Sequence, residues 1–240
     1  MRDQLILLPG WAFGPAALQP LCEALTELAP ELDVVIEPLP DLAEADAWLD
    51  ELDRRLPDNC WLAGWSLGGM LASQLAARRQ ETCRGLITIA SNPCFRARPQ
   101  WPEAMAPDIF DAFHEAFRLD PDETLKRFRL LCSRGGYDPR TLARQLEVSQ
   151  SVSAPAVLQA GLRLLAELDV RSALHGYFGP QLHLFAGGDA LVPSTACDAL
   201  RRWMPGIEAE LIASTSHALP LERPDDVAAT IADFIKGKTE

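Results

Sequence analysis

The sequence predicts an α/β fold, with a mostly parallel central sheet flanked by helices and interrupted by an inserted helical cap. Three observations predict it. Short apolar, β-branched runs alternate with stretches of helical spacing at both ends of the chain, the pattern of parallel strands joined by crossover helices. One such strand passes into a helix through Gly64-Trp65-Ser66-Leu67-Gly68. From about Phe95 to Gly176 the strand rhythm stops, and several helical patterns fill a length too great for a loop.

In chain order, Gln4–Leu8 reads as a first strand that ends at Pro9-Gly10, and Ala16–Leu28 as an amphipathic helix. Asp33–Glu37 reads as a second strand closed by Pro38-Leu39-Pro40. Asp41 is placed to cap a helix from about Leu42 to Arg55, with Trp48 and Leu49 on its apolar side. Residues 60–63 form an apolar strand, Leu67–Arg79 a helix, and Gly85–Ala90 another strand. Helical spacing then covers Ile109–Arg118, Pro121–Leu131, Pro139–Val148 and Pro155–Leu168. Strands return at Gln181–Ala186 and Glu208–Ile212, separated by a helix from Ser194 to Trp203. A last helix runs from Asp225 to about Lys236. The expected division is a core of residues 1–94 and 177–240 and a cap of residues 95–176.

Composition excludes several classes of function. A net charge of −12 lacks the basic footprint of a nucleic-acid surface. No stretch is long and apolar enough to span a bilayer, and Leu5–Leu8 is too short for the apolar segment of a signal peptide. A cytoplasmic location is therefore expected, and nothing points to an obligate oligomer, so a monomer is expected. The six cysteines show neither paired nor metal-ligand spacing. Free thiols serving as core filler are expected, with no metal and no cofactor.

Gly64-x-Ser66-x-Gly68 between a strand and a helix matches the nucleophile elbow of α/β-hydrolases. A serine forced into a strained turn needs neighbours without side chains where strand and helix cross, and the strain lifts its oxygen clear of the sheet edge. The alternative is an ordinary strand–turn–helix with a surface serine. A serine nucleophile requires a base, and the base an acid that holds its tautomer. In this fold they follow in the order Ser, acid, His. His114 lies in a cap helix, His183 in mid-strand and His175 at the cap's end, which leaves His217 in the loop before the last helix as the base. Asp189 follows the preceding strand through Gly187-Gly188 and is the candidate acid. For the developing oxyanion the amide of Leu67 supplies one donor, and that of Trp11, after the flexible Gly10, the other.

Charge is uneven along the chain. From Lys126 to Arg144, six basic residues (Lys126, Arg127, Arg129, Arg134, Arg140, Arg144) face only Asp138, a local excess of +5. Two readings are open, a solvated helix face or a dock for an acidic partner.

The elbow, the run Ala90-Ser91-Asn92-Pro93-Cys94-Phe95 followed by Ala97-Arg98 and Trp101-Pro102, and Asp189-Ala190-Leu191-Val192-Pro193 together resemble one enzyme family. It is the BioH family of pimeloyl-[acyl-carrier protein] methyl ester carboxylesterases of biotin synthesis. The resemblance implies hydrolysis of the methyl ester to pimeloyl-carrier protein and methanol, with Ser66, Asp189 and His217 as the triad. It also implies that Trp11, Ser66, Leu67, His217 and the cap stretch Phe128-Arg129-Leu130-Leu131-Cys132 contact substrate. Arg127, Arg140 and Arg144 would grip the acidic acyl-carrier protein, which favours docking as the purpose of the basic run. The chain departs from the family pattern at Pro9, where a histidine is usual, at Glu123 in place of a fourth docking arginine, and at Cys132 in place of a glutamine. The other functions weighed are a short-chain carboxylesterase without a carrier partner and a non-catalytic binding protein of the same fold.

Overall fold

The computed structural model describes residues 3–239; Met1, Arg2 and Glu240, which fall in the outermost ends of the expected core, lie outside the described residues. Six strands form one all-parallel sheet: β1 (Asp3–Leu8), β2 (Leu32–Ile36), β3 (Cys60–Trp65), β4 (Cys83–Ile89), β5 (Gln181–Ala186) and β6 (Glu208–Ile212). Their spatial order is β2-β1-β3-β4-β5-β6. Burial explains that order. β3 and β5 are buried along their whole length, whereas β2 and β6 bear exposed positions and take the edges.

The chain steps from β1 outward to β2, then reverses and builds β3 to β6 in the other direction. Right-handed crossovers therefore put α1 (Gln19–Leu28) on one face of the sheet, with α2 (Trp48–Arg55) and α3 (Leu67–Arg79) on the other. The C-terminal α11 (Pro224–Thr239) packs on α1, and α9 (Thr195–Trp203) on β5 and β6. The reversal at β1 opens a crevice beyond the carboxyl ends of β1 and β3, where ligands bind in open α/β sheets.

Between β4 and β5 lie α4 (Pro107–Leu119), α5 (Pro121–Ser133), α6 (Pro139–Val148), α7 (Pro155–Glu167) and the short α8 (Arg171–Gly176). The first four each begin on a proline, whose fixed φ suits the first helical position. Asp120 and Asp138 cap α5 and α6 by accepting from the amides of Glu123 (3.1 Å) and Thr141 (3.2 Å). The two ends of this helical segment are fastened together. Cys94 pairs with Asp169, the Val170 amide donates to the Pro93 carbonyl at 2.9 Å, and Arg98 donates to the carbonyls of Ala166 and Glu167. Arg171, hydrogen-bonded to Asp169 at 2.6 Å, holds that carboxyl down to about 2.

Two local features differ from the sequence expectation. The helix expected from Leu42 begins with a 3-10 turn at Ala45–Ala47 and becomes α2 only at Trp48; Asp41 caps nothing. The Trp48 indole donates to the Leu42 carbonyl at 2.9 Å, which holds residues 42–44 as an irregular approach to the helix. A second short helix, α10 (Leu219–Glu222), follows the His217 loop.

His183 is buried between β4 and β5, with Nδ1 2.8 Å from the Thr88 hydroxyl and Nε2 3.3 Å from Gln181 Oε1. Gln181 commits its amide nitrogen to the carbonyls of Leu174 and Tyr177, so its oxygen is the acceptor and the imidazole proton sits on Nε2. Burial pushes the ring from 6.5 down to about 3. Within that window the unfolded chain binds a proton that the folded chain refuses. Stability therefore falls as pH falls, by about 1.4 kcal/mol per pH unit. His183→Gln should lose about 2 kcal/mol less than wild type between about pH 7 and about pH 5 in urea unfolding. Identical pH dependence in the two proteins would contradict a neutral buried ring.

Candidate active site

Ser66 is the single residue between β3 and α3, and its backbone is forced to φ 55°, ψ −119°. A Cβ on Gly64 would lie 2.2 Å from the Gly68 carbonyl, and one on Gly68 would lie 2.4 Å from the Leu8 oxygen. Only glycines let the strand, the helix and the end of β1 cross this closely. The strained turn is held on every side. The Ser66 amide donates to Ile89 O at 2.9 Å, and its carbonyl accepts from Gly69 N at 2.9 Å and Ser91 Oγ at 2.8 Å.

Asp189 lies in the loop after β5, which is laced to the loop after β6 by Gly187 N→Ile212 O (2.9 Å) and Gly188 N→Thr215 O (2.7 Å). Its Oδ1 accepts the amides of Leu191 (2.8 Å) and Val192 (2.9 Å), which leaves Oδ2 for His217 Nδ1 at 2.8 Å. His217 Nε2 then stands 3.0 Å from Ser66 Oγ. With the Nδ1 proton claimed by the carboxylate, Nε2 is free to accept the serine proton. The site is buried: the Asp189 and His217 side chains are 0% and 1% exposed, and Ser66 is 5% exposed. The backbone of His217 is fixed separately, by Trp65 Nε1 donating to its carbonyl at 2.8 Å and by Glu222, which accepts from the amide and hydroxyl of Ser216, both at 2.7 Å.

Two amides remain for an oxyanion. Leu67 N opens α3, where the helix dipole favours negative charge. In the loop after β1, Gly10 packs so tightly that a Cβ there would lie 3.4 Å from Ser66 Cβ. The Gly10 carbonyl accepts from Phe13 N at 3.2 Å, so the Trp11 N–H, on the opposite side of the same peptide plane, faces away from that turn. Among the described residues neither amide is bonded to a protein acceptor. The Trp11 indole meanwhile turns into the inserted helices, donating to Leu158 O at 2.8 Å and meeting Phe113, Phe117 and Phe128 edge-on.

The stretch Phe128–Cys132 on α5 divides by helical phase. Phe128 is buried in the aromatic cluster with Trp11 and Phe13; Leu131 is partly buried, and Leu130 is 55% exposed. Cys132 is fully buried behind the triad: its carbonyl accepts Ala218 N at 3.1 Å, and burial together with the nearby Asp189 charge pushes its thiol well up. Arg129 spans from α5 to Gln150 and Glu147. Arg127 is exposed but paired with Glu123 at 3.3 Å, whereas Arg140 and Arg144 on α6, and Arg134, are exposed and form no ion pair among the described residues. Sequence reasoning missed Glu222, Gln150 and the Trp65 contact, because each acts across the fold and carries no motif.

A buried Ser–His–Asp chain of hydrogen bonds at the turn between a parallel strand and its helix is the arrangement of a serine hydrolase of the α/β type. The family comparison agrees: residues 5–230 match the alpha/beta hydrolase family. The pimeloyl-[acyl-carrier protein] methyl ester esterase of Aromatoleum aromaticum is 34% identical over 98% of this chain and 99% of its own. The biotin biosynthesis bifunctional protein BioHC of Cellvibrio japonicus is 36% identical over 97% of this chain, which spans about half (47%) of that longer protein. A bromoperoxidase from Bacillus anthracis superposes with a TM-score of 0.84 over 98% of this chain and 92% of its own, at 17% identity, a likeness of fold alone. The chain belongs to the α/β-hydrolase family and, within it, to the pimeloyl-[acyl-carrier protein] methyl ester esterases.

The strain at Ser66 is measurable without any substrate. Ser66→Gly and Ser66→Ala both delete the hydroxyl, but only glycine tolerates φ 55°. Relief of strain, less the extra freedom of glycine in the unfolded chain, should make Ser66→Gly more stable than Ser66→Ala by about 1 kcal/mol in urea unfolding. A Ser66→Gly midpoint below that of Ser66→Ala would mean that the elbow stores no strain.

Proposed function

We propose that the chain is a carboxylesterase that removes the methyl group from methyl-pimeloyl-[acyl-carrier protein], releasing methanol, as a step of biotin synthesis in the cytoplasm. The observation that carries the chemistry is the continuous chain Ser66 Oγ–His217–Asp189, at 3.0 and 2.8 Å. Ser66 Oγ attacks the ester carbonyl while His217 Nε2 takes its proton. The tetrahedral oxygen, negatively charged, is held by the amides of Leu67 and Trp11, each such donor typically contributing about 3 kcal/mol. His217 returns the proton to the departing methoxide. Water then gives a proton to the same nitrogen and attacks the acyl-serine, and the acid leaves as Ser66 regains its hydrogen.

Residues 95–176 act as a cap over a core of 1–94 and 177–240, and the enzyme works as a monomer. The acidic carrier stays outside on α5 and α6 while its acyl chain threads inward, so that the distal ester, not the thioester, reaches Ser66. Phe128 and Leu131 on α5 line that path. Support for carrier docking comes from the unpaired, exposed Arg140 and Arg144 on one helix face, together with the relatives' named substrate. Pairing of Arg127 with Glu123 favours the second reading, a short-chain carboxylesterase without a carrier.

Methanol release from methyl-pimeloyl carrier protein, compared with a free methyl ester, separates the two. Ser66→Ala should fold normally and turn over at least about 10³-fold more slowly on either substrate; wild-type turnover would exclude this nucleophile. Arg127→Glu, Arg140→Glu and Arg144→Glu combined should raise KM for the carrier-bound ester by about tenfold or more and spare the free ester. Equal losses on both substrates would speak against docking.

A further inference from the structure

Three residues between α6 and α7 are stitched to the loop that carries the Trp11 amide. Gly14 N donates to Ser149 O and Ser151 N to Ala12 O, both at 2.9 Å, so that Phe13 and Gln150 face each other as an antiparallel pair. Ala12 sits at φ 65°, a conformation that a residue with a side chain keeps only when its surroundings impose it. The pairing imposes it. It also fixes Phe13, whose amide holds the Gly10 carbonyl and so sets the direction of the Trp11 N–H on the same peptide.

The strap 149–151 is itself held from the side. The Arg129 guanidinium, with its side chain 13% exposed, donates to Gln150 Oε1 and, at 3.2 Å, to Glu147 Oε1. Arg129 is thus joined to the oxyanion donor by an unbroken series of hydrogen bonds and covalent links, through Gln150, Phe13 and Gly10. Its own cationic head is occupied by Gln150 and Glu147.

We propose that Arg129 is a positioning residue that aims the Trp11 amide at the developing oxyanion by way of Gln150, rather than a contact for the substrate. The assignment rests on the esterase reading and adds a residue that acts in the transition state without touching the ester. It also places a link between α5, the helix that bears Arg127, and the reacting centre.

The test uses full-length wild type, Arg129→Ala, Gln150→Ala and the double variant, with a small chromogenic acetate ester and a trifluoromethyl ketone. The ketone adds to Ser66 and presents the same oxyanion. Rates are taken per active site titrated with an organophosphate. Each single variant should lower kcat about tenfold, less than the roughly 10²–10³ for outright loss of a donor, with KM within about twofold. Ketone affinity should fall by the same factor, and the double variant should be no worse than either single one. A raised KM with normal kcat would make Arg129 a substrate contact and overturn the proposal. A lowered melting temperature with normal kcat per titrated site would overturn it too, as a purely structural role. Failure of the wild type to hydrolyse the acetate would instead bring down the esterase reading itself.

Discussion

Everything at the reacting centre depends on a backbone contact in which no side chain takes part. Gly64 at the end of β3, Gly68 in the first turn of α3 and the carbonyls of Leu8 and Pro9 meet at distances that leave no room for a Cβ. That crossing leaves a single residue to reverse the chain, and Ser66 takes φ 55° to do it. The same crossing brings the N-terminus of α3 and the loop after β1 to the serine. A cost of about 1–3 kcal/mol for the strained residue is sustained because its amide and carbonyl are bonded to β4, to Ser91 and to α3.

The core alone does not hold the site. Three loops at the sheet's carboxyl edge, those after β1, β5 and β6, are contacted by the segment between β4 and β5. Ser149 and Ser151 pair with the Trp11 loop. Gly135, at φ 89°, packs so closely on Gly188 that a Cβ would lie 1.9 Å from its carbonyl oxygen. Cys132 O holds Ala218 N, and Tyr137 N donates to Glu222 at 2.8 Å, the carboxylate that also holds Ser216. The inserted segment thus contacts the loops that carry Trp11, Asp189 and His217.

Legibility in the sequence followed the range of the forces involved. The strands and most helices were readable because burial periodicity and Asp-Pro caps are local, as at Asp120-Pro121 and Asp138-Pro139. Ser66, Asp189 and His217, which the fold brings into one hydrogen-bonded chain, are legible together because strand order and loop position constrain where such residues lie in this topology. Contacts between remote segments left no such trace. The approach to α2 was misjudged because a Trp48 indole, not Asp41, claims the backbone there. Glu222 carries no motif, and only the fold brings it to Ser216. Arg129 is singled out in the sequence by the charged run and by the stretch expected to contact substrate, whereas its bond to Gln150, 21 residues away, leaves no local trace.

The charged run shows why a window along the chain misstates a surface. Counted from Lys126 to Arg144 the excess is +5, but Glu123 lies within 4 Å of both Lys126 and Arg127, and Glu147 pairs with Arg129. Over residues 123–147 six cations face three carboxylates, an excess of +3. Fields at a surface are set by such spatial sums, since a pair a few ångströms apart appears nearly neutral one Debye length (about 8 Å) away. Long-range attraction for an acidic partner is thereby concentrated on Arg134, Arg140 and Arg144, around the turn between α5 and α6. That turn is the part of the insertion that touches both the acid loop, through Gly135, and the histidine loop, through Tyr137 and Glu222. On the proposed docking, a carrier drawn to those arginines would sit against the turn that touches both of those loops.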